Sequence, residues 1–333
     1  MFRRILVPLD GSTRAEQALP VAARLAQVSG GIVVLLRVVN PLSELAPYYP
    51  SDSEIIRAMI EAEEDTALNY LDNVTQMSLL TGVQTETSVM FGQPTTIILS
   101  EMDAHRIDLV VMCSHGYTGM KHWMLGSVAE KIVHHAPVPV LILREERSLQ
   151  LAPGVQASGP IRALVPLDGS SNAKAALTPA AQLVAALSAP ARGALHLARV
   201  VVLPDAQKSG QSERDAILQK ARHSLESTVE LLREGLVAAT VAELNLSLSC
   251  SVTIDDDIAA GISRLAEDGK DATESGRVGG ADIIAMATHG LGGLQRWAVG
   301  SVTERVLHTT RLPLLIVRPP GMAGKSLLSQ ERK

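Results

Sequence analysis

The chain contains an internal repeat, and a repeat of this kind requires two copies of one domain. RILVPLDGS at residues 4–12 returns as RALVPLDGS at residues 162–170, with eight of nine positions identical. SHGYTGMKHWMLGSV at residues 114–128 returns as THGLGGLQRWAVGSV at residues 288–302, with seven of fifteen positions identical. At roughly 100–200 residues per domain, a chain of 333 residues is long enough for two domains that each bury a core.

The spacing between equivalent residues sets the domain boundaries. It grows from 158 residues between Asp10 and Asp168 to 174 residues between His115 and His289, so the second copy contains about sixteen more residues. Most of these fit the polar, glycine-rich stretch 268–280, which is typical of an exposed loop. We predict domains at residues 1–144 and 161–318, joined by a linker at 145–160 and followed by a flexible tail at 319–333.

Within the first copy, apolar segments alternate with helical patterns. A capping box formed by Thr13 and Glu16 predicts a helix over residues 13–28, and the periodicity predicts a second helix over 52–80. Pro94 and Gly126 begin two more helices, the latter over 126–136. Each copy is therefore predicted to be a doubly wound, Rossmann-like α/β domain, in which ligands bind beyond the carboxyl ends of the strands. The five predicted parallel strands of the first copy are 5–9, 32–39, 85–91, 108–113 and 138–143.

Composition excludes several classes of protein. Lys and Arg number 30 against 35 Asp and Glu, and only eight residues are aromatic, so the chain lacks the charge and stacking side chains of a nucleic-acid binder. Its apolar runs are too short or too interrupted to span a bilayer, and the amino terminus lacks the apolar region of a signal peptide. Two cysteines without a CxxC pair indicate neither a disulfide framework nor a zinc site. We therefore expect a cytoplasmic protein without a membrane, nucleic-acid or metal partner.

The second repeated segment predicts an anion site. Gly116 is followed by nine residues and then by Gly126-Ser127, which begins a helix; Gly290 and Gly300-Ser301 repeat the pattern. Glycine lets the backbone approach a ligand closely, and the unpaired amides of a helix start bind phosphate. The alternative is that the glycines only permit a tight structural turn.

Both copies resemble the universal stress protein family, and the whole chain resembles a tandem two-domain member with an adenine nucleotide alpha hydrolase-like fold. The resemblance covers residues 1–144 and 160–318. The family's ATP-binding signature is Gly, two residues, Gly, nine residues, Gly, then Ser or Thr, and it places Cys113 and Ala287 where its first glycine belongs. The resemblance implies ATP, with or without Mg²⁺, as the ligand. The nucleotide-contacting positions that it implies are Pro8, Leu9, Asp10, Val38, Met112, Cys113, Gly116, Gly126, Ser127 and Val128 in the first copy and Pro166, Leu167, Asp168, Val200, Met286, Ala287, Gly290, Gly300, Ser301 and Val302 in the second.

Each implied role has a structural alternative. The resemblance has Asp10 and Asp168 hold the ribose; the alternative is that Asp10 caps the first helix, and the two roles are compatible with each other. His115 and His289 are expected to bond backbone rather than a phosphate. Trp123 and Trp297 are expected to anchor the glycine loops by burial, and Cys113 to be a small buried residue.

The two copies differ after the third strand. The first has Gly92-Gln93-Pro94, the turn usual in the family, where the second has Asp255-Asp256-Asp257. If the three carboxylates faced the phosphates, they would repel them. If they were exposed, they would cap the next helix, and this is the interpretation that we favour. We expect both copies to bind nucleotide, with the first the more dependable site.

No catalytic motif accompanies the nucleotide pattern. The chain has no GxxxxGK[ST] loop, no GxSxG elbow and no HExxH helix. We therefore predict an ATP-binding stress-response regulator and not an enzyme. The alternatives are a slow ATPase, or an interaction module that binds no nucleotide. The resemblance also implies that the last strands, 139–143 and 313–317, pair within the chain as a pseudo-dimer and that the protein forms a homodimer.

Overall fold

The computed structural model of the protein describes residues 1–40, 54–114, 125–144, 149, 160–204, 210–236, 239–269, 280–290 and 299–320. The predicted linker lies almost wholly outside these residues, as do most of the predicted loop at 268–280 and most of the tail. Within the described helices, none combines the length and the apolar character that crossing a bilayer requires.

Strands and helices alternate through both halves of the chain, as the sequence predicts. The first half contains β1 Arg4–Leu9, α1 Thr13–Glu16, α2 Leu19–Ser29, β2 Ile32–Val39, α3 Glu54–Thr75, a 3-10 turn Ser78–Leu80, β3 Gln84–Phe91, α4 Pro94–Ala104, β4 Leu109–Cys113, α5 Ser127–His135 and β5 Val140–Leu143. The second half contains β6 Arg162–Pro166, α6 Ser171–Lys174, α7 Leu177–Ser188, β7 Gly193–Val201, α8 Gln211–Arg233, α9 Ala239–Ala242, β8 Leu246–Ile254, α10 Ile258–Asp268, β9 Ile283–Ala287, α11 Ser301–Thr309 and β10 Leu314–Val317.

The ten strands of the described residues form one sheet. Its order is β3-β2-β1-β4-β5-β10-β9-β6-β7-β8, so each half contributes five parallel strands in the same relative order. In the first half β1 pairs with both β2 and β4, and the chain runs outward from β1 in opposite directions. This is the topological switch point, and a crevice therefore opens beyond the carboxyl ends of β1 and β4. The predicted fold class is confirmed.

Helices cover both faces of the sheet, which explains the aliphatic composition. Along β1, Ile5 and Val7 face the helices α2, α3, α7 and α8, whereas Leu6 faces α4, α5, α10 and α11. All three of these side chains are fully buried. Parallel strands that are buried on both faces read as continuous apolar runs, as these do.

The two halves meet at the last strand of each. β10 pairs antiparallel with β5, with Leu315 opposite Leu141. The guanidinium of Arg144 donates to Leu307 O in α11, and the guanidinium of Arg318 donates to His134 O in α5. Arg144 and Arg318 are equivalent residues of the two copies, so the contacts across the junction are reciprocal.

Two helix predictions were wrong in detail. The helix predicted over 13–28 is two helices, because Pro20 near the start of α2 has no amide to donate to the preceding turn and its ring crowds the carbonyl four residues earlier. The N-cap is Ser12 and not Thr13: Ser12 Oγ accepts from Ala15 N at 3.2 Å. The helix predicted over 52–80 ends at Thr75, and a 3-10 turn follows. The five predicted strands of the first copy begin and end within two residues of the observed ones.

Candidate functional site

A cavity of about 300 Å³ lies at the switch point of the first domain. The carboxyl ends of β1, β2 and β4 form its floor, and the start of α5 closes one side. Nine of the ten positions predicted in the first copy line it, and the tenth, Gly116, lies outside the described residues. The lining residues are Pro8, Leu9, Asp10, Ala15, Leu36, Val38, Pro94, Ile98, Met112, Cys113, Ser114, Gly126, Ser127, Val128 and Ala129.

At one end of the cavity lies the start of α5, which has the features of an anion-binding site. Gly126 is the N-cap of α5, with φ −64° and ψ 148°, and no side chain caps the helix. The first backbone hydrogen bond of this helix runs from the amide of Glu130 to Gly126 O, at 2.9 Å. The amides of residues 127–129 therefore have no partner within the helix, and they carry the positive end of its dipole. The amide of Gly126 donates to Ser114 O at 2.7 Å, which holds the helix start against the end of β4.

The other end of the cavity is apolar. Val38 and Met112, two of the nucleotide-contacting positions that the resemblance implies, line it together with Leu36 and Ile98. Pro94 is the first residue of α4, where the absence of an amide costs nothing. An apolar lining of this kind suits a flat heteroaromatic ring.

Asp10 also lines the cavity, and its carboxylate is held by the turn that follows β1. Its Oδ1 accepts from Ser12 N at 3.0 Å and from Ser12 Oγ at 2.5 Å. The alternative that Asp10 caps the first helix was wrong, because Ser12 provides the cap and Asp10 orients Ser12. A carboxylate held in this way can accept hydrogen bonds from a diol without first losing rotamer freedom.

Cys113 occupies the position of the missing signature glycine. Its side chain is 9% exposed, and Sγ lies 2.9 Å from Arg14 O. It is the small buried residue that the sequence predicts. Cys113 therefore fills space beneath the cavity while Ser114 continues the chain towards the loop.

The second copy reproduces the helix start of the first copy. Gly300 caps α11 with the same angles as Gly126, φ −64° and ψ 148°. The ten predicted second-copy positions lie at or just beyond the ends of β6, β7 and β9 or at the start of α11. However, a Cβ on Gly290 would overlap Asp168 Oδ2, so the carboxylate lies directly against this glycine. Asn172 Nδ2 also donates to Gly290 O at 3.4 Å.

Within the aspartate triplet of the second copy, Asp257 caps the next helix, as we expected, whereas Asp255 is nearly buried and Asp256 is exposed. Asp257 is the N-cap of α10 and accepts from Ala259 N at 3.0 Å and from Ala260 N at 3.2 Å. Its carboxylate also pairs with Arg305 of α11, and that hydrogen bond is the main reason that the pKa of Asp257 is lowered. Because Arg305 already neutralises the Asp257 carboxylate, this residue is a poor candidate for binding a cation.

Asp255 narrows the apolar part of the second site. Its side chain is 10% exposed and pairs with Arg264. A Cβ on Gly261 would lie 2.9 Å from both Asp255 Cβ and Val200 Cγ1, so these three residues are in contact. The amide of Asp257 donates to Asp255 and lowers the pKa of that carboxyl. A charge therefore lies beside Val200, whereas the first copy has Gly92 at that position.

The glycine-loop histidines and tryptophans are only partly described. His289 is buried, with Nδ1 3.1 Å from Thr288 Oγ1. His115, Trp123 and Trp297 lie outside the described residues, so their predicted roles stay predictions.

Both halves of the chain match one family of proteins. The sequence profile of the universal stress protein family matches residues 1–144 and, again, residues 162–318. This chain belongs to the universal stress protein family. The prediction of a tandem two-domain member is thereby confirmed.

Known relatives cover either one repeat or nearly the whole chain. Universal stress protein YxiE of Bacillus subtilis (strain 168) is 32% identical over 148 residues, which are 43% of this chain and 100% of the relative. A universal stress protein of Thermus aquaticus is 30% identical over 147 residues, again 43% of this chain and 100% of the relative. The crystal structure of a universal stress protein from Archaeoglobus fulgidus DSM 4304 covers 96% of this chain and 98% of its own, with a TM-score of 0.62 and 21% identity. That last likeness shows the fold.

Sequence reasoning missed one charged residue beside the site of this universal stress protein. The Arg37 guanidinium lies 3.6–3.8 Å from the position of a Cβ at Gly11, whose φ is +84°, and Nη1 donates to Leu9 O at 3.4 Å. Arg199 lies against Gly169 in the same way. The signal was present in the sequence, because Arg-Val-Val occurs at 37–39 and again at 199–201. A cation next to the Asp10 turn favours an anionic ligand.

The ion pair of Asp257 predicts an acid-dependent difference between two variants. Because the pKa of Asp257 is lowered by folding, its contribution to stability is present above the ordinary carboxyl range of about 4 and is lost as the pH falls through the lowered value. We expect Asp257→Asn to flatten the fall in thermal midpoint on acidification below about pH 4. Asp256→Asn, at an exposed neighbour, should leave the wild-type curve unchanged. Parallel curves for wild type and Asp257→Asn, followed by circular dichroism, would show that the pair contributes nothing.

Proposed function

We propose that this universal stress protein binds ATP in the cavity of its first domain and acts as a nucleotide-dependent regulator of the stress response. One observation carries the proposal: nine residues that the ATP-binding resemblance selects from the sequence line a single cavity. The polar and apolar ends of that cavity follow the polarity of a nucleotide. Ser127 and the helix amides fit the phosphates, Asp10 fits the ribose, and Val38 with Met112 fits the adenine.

The size of the cavity agrees with this ligand. Small-molecule sites have volumes of about 300–1,000 Å³, and the cavity of about 300 Å³ suits the adenosine part. The triphosphate would then extend along the start of α5, towards the glycine loop. Mg²⁺, where present, would bind chiefly through phosphate oxygens and water, as this ion usually does.

We propose further that the second domain binds ATP more weakly. Its helix start at Gly300 matches that of the first domain, which supports phosphate binding there. Against this stand the Asp168 carboxylate on Gly290 and the Asp255 carboxylate beside Val200. A nucleotide would have to displace the Asp168 carboxylate from Gly290 and to accept the Asp255 carboxylate in the apolar part of its site.

The lining of the first cavity favours regulation over catalysis. Phosphoryl transfer is assisted by cationic groups or metal ligands near the γ-phosphate and by a base near the nucleophile. Among the described lining residues, Asp10 is the one carboxylate, and it is bonded to Ser12; lysine, arginine and histidine are not represented. We therefore propose at most slow hydrolysis.

The paired strands β5 and β10 support an intramolecular pseudo-dimer of the two domains. Because these strands pair with each other, a homodimer would have to form through other surfaces. A cytoplasmic location stays a prediction of the sequence.

The nucleotide content of the purified protein tests the proposal. We expect acid extraction followed by chromatography to release adenine nucleotide from the wild type, either as purified or after incubation with ATP. Asp10→Ala should lower ATP affinity about tenfold to a hundredfold, because hydrogen bonds to a charged acceptor contribute about 1.5–3 kcal/mol. Asp168→Ala is the matched control and should change it far less. Wild-type protein that neither carries adenine nucleotide nor takes up ATP would support the interaction-module alternative.

A further inference from the structure

A cluster of histidine and glutamate side chains lies where the two domains meet, on the same two helices, α5 and α11, whose first residues form the proposed phosphate sites. Helices α5 and α11 each carry a glutamate followed four residues later by a histidine: Glu130 and His134 in the first, Glu304 and His308 in the second. Residues four apart share one face of a helix. These residues are equivalent in the two copies, so the repeat brings two like pairs together across the junction.

Three of these side chains converge on one point. Glu130, His134 and Glu304 each offer one ligand atom, and these atoms lie within 4.8 Å of one another. Glu304 Oε2 lies 3.3 Å from His134 Nε2, whereas His308 Nε2 lies 3.1 Å from the other oxygen, Oε1. Glu304 Oε2 is buried and has no hydrogen-bond partner among the described residues, since its contact with His134 has the distance but not the geometry of one.

The backbone that carries the cluster is held by the junction. Arg318 donates to the carbonyl of His134, and Arg144 donates to the carbonyl of Leu307, the residue before His308. Arg305, the nearest cation on α11 in sequence, pairs with Asp257 instead of with Glu304. The carboxylates are therefore presented on fixed helices, and all three arginines bond to other groups.

We propose that Glu130, His134 and Glu304 bind one Zn²⁺ ion across the domain junction. Imidazole with carboxylate is a donor set that suits Zn²⁺, which takes three protein ligands and a water in a tetrahedral arrangement. The three ligand atoms lie within 4.8 Å of one another, and one pair, His134 Nε2 and Glu304 Oε2, is 3.3 Å apart, so all three are close enough to share one ion. His308 then holds the far oxygen of Glu304, as outer hydrogen bonds orient metal-bound carboxylates. Such an ion would link the two domains.

The chain contains a matched control for this chemistry. His105 lies between two carboxylates as well, with Nε2 3.1 Å from Glu101 Oε2 and Nδ1 3.4 Å from Glu86 Oε2. There, however, the Arg4 guanidinium forms an ion pair with Glu86 and lowers the pKa of that carboxyl. The Glu86 carboxylate is therefore already paired with a cation. His105→Ala removes an equally placed histidine without touching the proposed site.

The test is Zn²⁺ binding to the full-length protein after removal of metal by a chelator. We expect calorimetry to give one Zn²⁺ per chain, a thermal midpoint raised by several degrees, and Co²⁺ to give visible absorption bands when it takes the same place. His134→Ala and Glu304→Gln should each lower Zn²⁺ affinity at least about tenfold and abolish the Co²⁺ bands. His105→Ala should bind as the wild type does.

Three results would overturn the proposal. The first is that the wild type shows no saturable Zn²⁺ binding. The second is that His134→Ala and Glu304→Gln both keep the Zn²⁺ affinity of the wild type. The third is that His105→Ala loses as much Zn²⁺ affinity as these two variants do. Thermal unfolding in chelator checks that the variants fold. If His134→Ala or Glu304→Gln does not fold, Glu130→Gln gives the same comparison, because it removes a ligand from the first domain only.

Discussion

Replacing Gly126 with valine is expected to lower the ATP affinity of the full-length protein about a hundredfold. At the equivalent Gly300, a Cβ would lie 3.2 Å from Thr288 O, so a branched side chain at this turn pushes the helix start away from the strand. The amides of residues 127–129 would then no longer meet the phosphates. Losing two charge-assisted hydrogen bonds costs about 3 kcal/mol, which is about a hundredfold in affinity. Equilibrium dialysis with ATP measures the change.

Gly300→Val is the matched control for this experiment. The two glycines share φ −64° and ψ 148°, and each donates its amide at 2.7 Å to the residue that follows the preceding strand. The two variants should therefore lose similar stability while only Gly126→Val loses the tight site. Equal losses of ATP affinity in both variants would place the principal site elsewhere.

Replacing Leu141 with alanine is expected to lower the free energy of unfolding by about 2–5 kcal/mol. Leu141 is fully buried in β5, with Leu315 of β10 on one side and Val111 of β4 on the other. The substitution removes apolar surface at the junction and leaves a cavity, because neighbouring strands on both sides prevent collapse. Urea unfolding followed by circular dichroism gives the difference.

Leu236→Ala is the control for the junction variant, since Leu236 is 71% exposed. Its effect should stay within about 0.5 kcal/mol. A loss below about 1 kcal/mol in Leu141→Ala would mean that the junction is not packed as described.

Most of the fold could be predicted because the repeat and the apolar runs reinforce each other. The strands between the two edge strands of the sheet are mostly buried and give apolar segments, and the duplicated VPLDGS marks the same strand end twice. The break between α1 and α2 was missed, although Pro20 signalled it, because the capping pattern at Thr13 and Glu16 was read as one uninterrupted helix. Proline position outweighs a local capping pattern, since the missing amide and the ring clash cost about 3 kcal/mol.

The candidate site was predictable only to the extent that a short motif defines it. Asp10 and Gly126 stand in repeated motifs, and the fold brings them to one cavity. Arg37 was missed because its approach to Gly11 depends on the register of β1 and β2, and this register cannot be read from the sequence. The cluster of Glu130, His134 and Glu304 was missed for a related reason: it exists only after β5 and β10 pair and bring α5 and α11 together.

Calorimetric titration of the full-length protein with ATP tests the central claim most directly. It counts the sites and ranks their affinities in one measurement, without any substitution. The structure predicts one tight site, from the first domain, and a second, weaker site where Asp168 and Asp255 crowd the ligand. No measurable binding, or two sites of identical affinity, would contradict this account.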